Sequence, residues 1–186
     1  MPTSRPRANA RPNARDAILD AAHRVAERDG AGHVTLDAVA REAGVSKGGL
    51  LYNFPNKEAL LAAMLERMVT RIDREMDAYL EAHRDEDKII MKTMLRAVDL
   101  KDTVHPQIKM AILAAAADKP DLLDPIRRVY RKWLDRIEAE SADLNRDLAI
   151  WFAMEGLIFT AALNVCPLSD DGRDSLRRHL IRQIED

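Results

Sequence analysis

Apolar residues recur at helical spacing along most of this chain of 186 residues. Glycine and proline are scarce inside the periodic segments, where alanine, leucine, arginine, glutamate and aspartate are common. This combination favours an all-α fold. The pattern predicts helices over about residues 13–29, 36–43, 47–53, 56–84, 86–101, 105–118, 125–141, 143–165 and 170–184.

The pattern is most informative between residues 35 and 57, where it predicts two short helices that meet at Gly44. The first of them carries a single apolar stripe of Leu36, Val39, Ala40 and Ala43. Thr35 stands at the N-cap position, and Gly44 suits the left-handed conformation that ends many helices. Two short helices joined by a tight turn are the arrangement that presents a helix to the DNA major groove.

The second helix of the pair, over residues 47–53, is unusual as a purely structural element. Ser46 is suited to cap it, and Pro55 ends it. Gly48 and Gly49 should each weaken it by about 1 kcal/mol relative to alanine. Glycine also lets a backbone approach a phosphate closely, which gives this weakness a purpose in a DNA-binding helix. The alternative is an ordinary helical hairpin with a glycine-rich corner.

Four stretches of the chain resemble the N-terminal domain of the tetracycline-repressor (TetR) family of bacterial transcriptional regulators. They are residues 18–22 (ILDAA), 39–48 (VAREAGVSKG), 50–54 (LLYNF) and 56–60 (NKEAL). The resemblance implies a three-helix DNA-binding domain with a helix-turn-helix motif. It also implies a helical C-terminal domain that binds an inducer, and a homodimeric repressor that leaves a palindromic DNA operator when the inducer binds.

The predicted DNA-binding residues combine cations, hydrogen-bonding side chains and the two glycines. Lys47 and Lys57 flank the second helix as cations that pair with phosphates, and Asn53 is able to bind adenine through two hydrogen bonds. The family often has an aromatic residue where this chain has Leu51, and histidine where it has Asn53. The full predicted set is Thr35, Ser46, Lys47, Gly48, Gly49, Leu51, Tyr52, Asn53 and Lys57.

The distribution of charge agrees with a DNA partner, although the net charge of the chain is −2. Residues 1–60 hold nine Lys and Arg against seven Asp and Glu, so the rest of the chain is net acidic. Arg5, Arg7 and Arg11 precede the first acidic residue. Residues 1–12 are therefore predicted to be a disordered basic arm that follows the DNA backbone or enters the adjacent minor groove. An inert solvated tail is the alternative.

The predicted helices divide into two functional domains. Residues 13–60 form the DNA-binding domain, in which an apolar stripe on the first helix closes over the helical pair. Residues 61–186 form a helical domain for ligand binding and dimerisation. The long helix predicted over residues 56–84 leaves no flexible linker between them, so a movement of this helix should move the DNA-binding domain as well.

Aromatic residues suggest what the second domain does, because five of the eight in the chain fall between positions 130 and 159. Together with methionines they are predicted to line a cavity for a small apolar or aromatic inducer. An ordinary all-helical core is the alternative. The predicted ligand-binding residues are Met64, Met68, Met94, Tyr130, Trp133, Trp151, Phe152, Glu155 and Phe159.

Glu155 lies within an apolar helix, where a carboxylate is costly unless it is paired. We expect it either to attract a cationic ligand or to be tied to an arginine or a backbone donor. The same helix is apolar almost all round, which indicates burial on two sides. With the last helix it is predicted to form a four-helix homodimer interface, as in the family. The predicted interface residues are Met154, Leu157, Ile158, Ala161, Leu176, Leu180 and Ile184.

Other classes of function find little support in the sequence. The five histidines have no metal-ligand spacing with Cys166, and the chain lacks phosphate-binding, dinucleotide-binding and nucleophile-elbow motifs. We therefore predict no catalytic residue, no metal and no cofactor. The sequence also predicts no membrane span and no secretory signal, and a lone cysteine fits a cytoplasmic location. An all-helical enzyme or a protein-binding scaffold is the alternative from another class.

Overall fold

The computed structural model describes residues 14–102, 112–113 and 115–185, and over this part of the chain it confirms the predicted all-α class. Its α-helices are α1 (Ala14–Asp29), α2 (Leu36–Ala43), α3 (Lys47–Asn53), α4 (Lys57–Ala82), α5 (Ile89–Asp102), α6 (Asp124–Glu140), α7 (Leu144–Ala162) and α8 (Asp170–Glu185). Short 3₁₀ helices occupy Ala31–His33 and Pro120–Leu123. The predicted basic arm and most of the helix predicted over residues 105–118 lie outside the described residues.

The chain divides into two compact units, Met1–Leu60 and Leu61–Asp186. In the first unit, α1 packs against α2, and α2 packs against α3. Each helix contributes fully buried side chains from its apolar stripe, among them Ile18 and Leu19 of α1, Val39 of α2 and Leu50 of α3. Burial of these stripes fixes α2 and α3 as a pair, because neither helix is long enough to be stable alone.

In the second unit, a network of charged side chains ties α4 to α6. Lys132 Nζ lies 2.8 Å from Asp73 Oδ1 and 2.6 Å from Asp77 Oδ2. The guanidinium of Arg136 donates to Asp77 Oδ1 (2.8 Å), and the indole N–H of Trp133 donates to Asp73 Oδ1 (3.0 Å). Charge-assisted hydrogen bonds of this kind fix the register of two helices as well as their contact.

Apolar packing holds the remaining helices of the second unit together. The buried cluster takes Ile72 and Met76 from α4, methionines from α5, Trp133 and Ile137 from α6, and further residues from α7 and α8. Among the described residues, no helix is both long and apolar enough to cross a membrane.

Candidate nucleic-acid interface and apolar cavity

Helices α2 and α3 and the turn between them carry the capping residues that the sequence predicts. The backbone N–H of Ala38 donates to Thr35 Oγ1 (3.1 Å), and that of Gly49 donates to Ser46 Oγ (3.0 Å). Gly44 ends α2 with φ of 67°, in the left-handed region. These contacts confirm the predicted caps and set the direction in which α3 leaves the turn.

The surface of α3 is sharply divided between a buried and an open side. Leu50 is fully buried in the core of the first unit, whereas Tyr52 is 91% exposed and Leu51 is 37% exposed. A Cβ atom placed on Gly48 would have nothing within 4 Å. The helix therefore offers an open face of bare backbone, one leucine and one tyrosine.

Two of the polar residues predicted to contact DNA are held by the protein itself. Lys47 Nζ lies 2.9 Å from Asp37 Oδ1 on α2, and the side-chain amide of Asn53 donates to the carbonyl of Gly49 (2.9 Å). Sequence reasoning missed Asp37 as a partner, since the α2–α3 packing that brings it to Lys47 is not visible in the sequence. Lys57 is partly exposed at the start of α4.

A second set of surface charges ties α1 to α2. Glu42 accepts hydrogen bonds from Arg24 Nε and Arg28 Nη1, both at 2.8 Å. These hydrogen bonds from Arg24 and Arg28 hold the pKa of the Glu42 carboxyl below its usual value. Exposed pairs of this kind contribute little stability, so their effect is mainly on the orientation of the side chains.

The second unit contains an apolar cavity of about 280 Å³ that is lined by residues of α4, α5, α6 and α7 and by residues 112–113. Six of the nine residues predicted to bind a ligand line it, and these are Met68, Met94, Tyr130, Trp133, Trp151 and Phe159. Aliphatic residues such as Ile72 and Ile158 complete its wall. Three of its aromatic side chains carry a hydrogen-bond donor, and each donor binds a carboxylate. Trp133 donates to Asp73, and Tyr130 and Trp151 donate to Glu155.

Glu155 is paired, as expected of a carboxylate in an apolar helix. The Tyr130 hydroxyl donates to Glu155 Oε2 (2.8 Å), and the Trp151 indole donates to Glu155 Oε1 (3.3 Å). Both of these partners are aromatic side chains, which the sequence did not lead us to expect. Burial, followed by the charge of Glu155 and the hydrogen bond to it, raises the pKa of Tyr130 far above its usual value. The phenol therefore keeps its proton and remains a donor.

Three predicted ligand-binding residues are not part of the cavity lining, and the prediction is corrected for them. Met64 is fully buried elsewhere in the second unit. Phe152 is 60% exposed, since it follows Trp151 directly and is rotated about 100° from it around the helix. Glu155 lies behind the two rings that it binds.

A larger cavity of about 680 Å³ lies one helical turn further along the same bundle. Its wall mixes aliphatic residues with acids and bases, such as Asp87, Lys88 and Asp147. Asp147 is buried there and accepts a hydrogen bond from Ser141 Oγ (2.7 Å). The smaller cavity is the better match to an apolar ligand, because none of the described residues of its wall is charged.

Four of the seven predicted interface residues are buried within the second unit. Met154 and Ile158 on α7 and Leu180 and Ile184 on α8 are buried in the core of their own chain. Leu157 is partly buried, whereas Ala161 and Leu176 are exposed. The prediction is therefore corrected for the four buried residues, because side chains shielded within one chain cannot also contact a second copy, and it stays a prediction for Leu157, Ala161 and Leu176.

The exposed apolar surface of the second unit lies on a different side of α7. Phe152, Gly156 and Phe159 follow one another at helical spacing and are all exposed, the two rings by 60% and 51%. Leu176 of α8 is exposed as well, as are Val165 and Leu168 between the two helices. These exposed apolar side chains make this side of α7 a candidate interaction surface.

Two family models match this chain and together cover most of it. One is described as "Bacterial regulatory proteins, tetR family" and matches residues 18–64. The other, "Tetracyclin repressor-like, C-terminal domain", matches residues 73–185, which is more than half of the chain.

Individual relatives agree with the family models. The HTH-type transcriptional regulator EthR of Mycobacterium tuberculosis is 29% identical over 147 residues, covering 77% of this chain and 68% of the relative. EthR of Mycolicibacterium smegmatis is 26% identical over 135 residues, covering 71% of this chain but only 62% of the relative. The multidrug binding protein EbrR in complex with ethidium has a TM-score of 0.63 at 21% identity, over 92% of this chain and 98% of EbrR. That likeness shows a shared fold.

Proposed function

This chain belongs to the tetR family of bacterial regulatory proteins, and we propose that it is a homodimeric repressor of transcription that binds a palindromic operator. The open face of α3 carries the proposal. Tight caps hold this short helix against α2, and its outward side presents Gly48, Leu51 and Tyr52, of which Tyr52 is almost fully exposed. A helix held rigidly with an uncovered face is what major-groove recognition requires. Because its partner is chromosomal DNA, the protein acts in the cytoplasm.

The remaining predicted DNA-binding residues have supporting parts in this proposal. Thr35 and Ser46 fix the helix ends and bring backbone N–H groups to the surface, where phosphates bind. Lys57 supplies a cation beside α3. Lys47 and Asn53 contribute after exchanging their present partners, Asp37 and the Gly49 carbonyl, for DNA.

The dimer in this proposal is formed through the exposed row on α7, with Phe152, Gly156 and Phe159 at its centre and Leu176 beside it. An isologous contact brings each of these residues against the same row of the second copy. Two-fold symmetry then sets the two α3 helices about 34–36 Å apart, on successive major grooves of one face of DNA.

The ligand in this proposal is a small apolar or aromatic molecule that occupies the cavity of about 280 Å³. EbrR, which shares this fold, is a multidrug binding protein with a structure in complex with ethidium. Here the ring donors of the cavity are already engaged by carboxylates. A ligand therefore gains most from apolar contact and needs few hydrogen bonds of its own.

Helix α4 connects the ligand to the DNA in this proposal. Met68, Ile72 and Met76 of α4 line the cavity, and the same helix begins at Lys57, four residues after α3 ends. A ligand that favours one position of α4 over another changes the spacing of the two reading helices. The free energy of operator binding can change by at most the difference between the ligand's binding free energies for the two arrangements.

Selection of bound sequences from random DNA, followed by gel-shift titration, tests the proposal. We expect an inverted repeat with half-sites one helical turn apart. Tyr52→Ala should weaken binding to that repeat at least about tenfold, as for a side chain at the centre of an interface. Tyr79→Ala, the same change on α4 of the second unit, is the matched control. Recovery of no preferred sequence at low salt would overturn the proposal.

A further inference from the structure

The first unit exposes large apolar side chains at one place only within the described residues. Leu51 and Tyr52 are its only large hydrophobic residues that are exposed, and both lie on α3. Leu50, directly before them, is fully buried and supplies the contact of α3 with the core. The exposure of Leu51 therefore brings nothing to the stability of the fold, and its position on the reading helix gives it another use.

The hydrogen-bonding side chains of α3 have partners within the protein, and they reach DNA only after exchanging those partners. Asn53, which would bind adenine through two hydrogen bonds, donates instead to the carbonyl of Gly49. Lys47 is paired with Asp37. Gly48 and Gly49 have no side chain at all. What remains uncovered on this face is apolar, apart from the Tyr52 hydroxyl.

Gly48 stands three residues before Leu51 and four before Tyr52, so the three share one side of the helix. A Cβ at Gly48 would meet nothing within 4 Å, so the surface at Gly48, on the same side of the helix as Leu51, is open. In the major groove, thymine is the base that carries a methyl group, and apolar side chains recognise it by contact. A leucine on this open side of the helix can contact that methyl group, whereas it offers no donor to a phosphate.

We propose that Leu51 reads the C5-methyl group of a thymine in each half-site of the operator, and this inference rests on the proposed function above. The specificity of the protein at that base pair is then carried by an apolar contact. In this respect the protein differs from members of the family that have an aromatic residue at the position of Leu51.

The test replaces each thymine of the selected operator in turn by uracil, which lacks only the methyl group. At one position in each half-site we expect uracil to weaken binding about fourfold, the effect of one buried methyl group. Leu51→Ala should bind thymine and uracil operators equally. Leu51→Met, which keeps an apolar side chain, should still prefer thymine.

The comparison uses the ratio of the two affinities for each variant, so a general loss of binding does not affect the result. Tyr52→Phe should keep the thymine preference, which separates Leu51 from its neighbour. The inference is overturned by half-sites without thymine, by indifference to uracil at every position, or by an unchanged preference in Leu51→Ala. If no preferred sequence is recovered, the proposed function itself fails and this inference with it.

Discussion

At the residue scale, Gly48 affects helix stability and DNA binding in opposite directions. It lies inside α3, and its Cβ position is open. We therefore expect Gly48→Ala to stabilise the first unit by up to about 1 kcal/mol, since alanine favours helices more than glycine does. The added methyl group would stand on the face that approaches DNA, so operator affinity should fall. Thermal unfolding and gel-shift titration of one preparation measure both effects.

Gly49→Ala is the comparison for this variant. A Cβ there would lie 3.3 Å from Ser46 Oγ, the group that caps α3. The gain in stability should therefore be smaller than for Gly48→Ala. A Gly48→Ala protein that is more stable and binds the operator as well as the original chain would contradict the close approach of this backbone to DNA.

Asp37 provides a second prediction at this scale, because it competes with DNA for Lys47. Both side chains of the pair are well exposed, so losing it should change stability little. Asp37→Asn removes a negative charge near the DNA and releases a cation. We expect tighter operator binding and a steeper fall of affinity with salt, by about one released counterion per protomer. Gel shifts at several salt concentrations measure this slope.

Asp171→Asn is the matched control, since Asp171 also lies in the first turn of an exposed helix but belongs to the second unit. Equal affinities and equal salt slopes for the original chain and Asp37→Asn would mean that Lys47 does not reach a phosphate.

At the scale of elements, the caps and narrow stripes of α1, α2 and α3 could be predicted from the sequence, whereas the orientation of α7 could not. Thr35, Gly44 and Ser46 act within a few residues of themselves, so local chemistry determines them. Helix α7 is apolar on nearly every side, so the spacing of its apolar residues does not show which side faces the core. Met154 therefore looks as suitable for an interface as Phe152, although only Phe152 is exposed.

The contacts that bring distant helices together are also invisible in the sequence. Asp77 on α4 and its partners on α6 are more than fifty residues apart in the chain. Burial pushes the pKa of Asp77 upward, but hydrogen bonds and charges from Lys132 and Arg136 outweigh it, so the pKa is lowered overall. An aspartate whose pKa is lowered in the folded protein stabilises the fold at pH values above its pKa in the unfolded chain, which is about 3.9.

This shift predicts how stability changes with pH. The contribution of Asp77 should be complete near neutral pH and should disappear as the pH falls below about 4 and through the lowered pKa. Asp77→Asn cannot lose a charge in this range, so its unfolding free energy should fall less steeply with acid. Urea unfolding of both proteins between about pH 3 and pH 6 measures the difference. Parallel curves would contradict the role given to Asp77.

At the scale of the whole molecule, the proposed dimer connects the face of α7 to the reading of DNA. Phe152 is exposed in a single chain and does not line the cavity, so it tests the interface without disturbing ligand contacts. In an isologous dimer, Phe152→Asp would place a carboxylate on both sides of the same contact. Burying an unpaired charge costs several kcal/mol, so the dimer dissociation constant should rise at least about a hundredfold.

Sedimentation at micromolar concentration should therefore find Phe152→Asp as a monomer with unchanged helix content. Ala78→Asp, at an exposed position of α4, should remain a dimer. The monomer keeps its α3 and should still bind a single half-site weakly, but it should lose the gain that comes from joining two half-sites. A Phe152→Asp protein that remains a dimer and binds the full repeat normally would show that the subunits meet elsewhere. The spacing of the reading helices would then be set by another surface of the second unit.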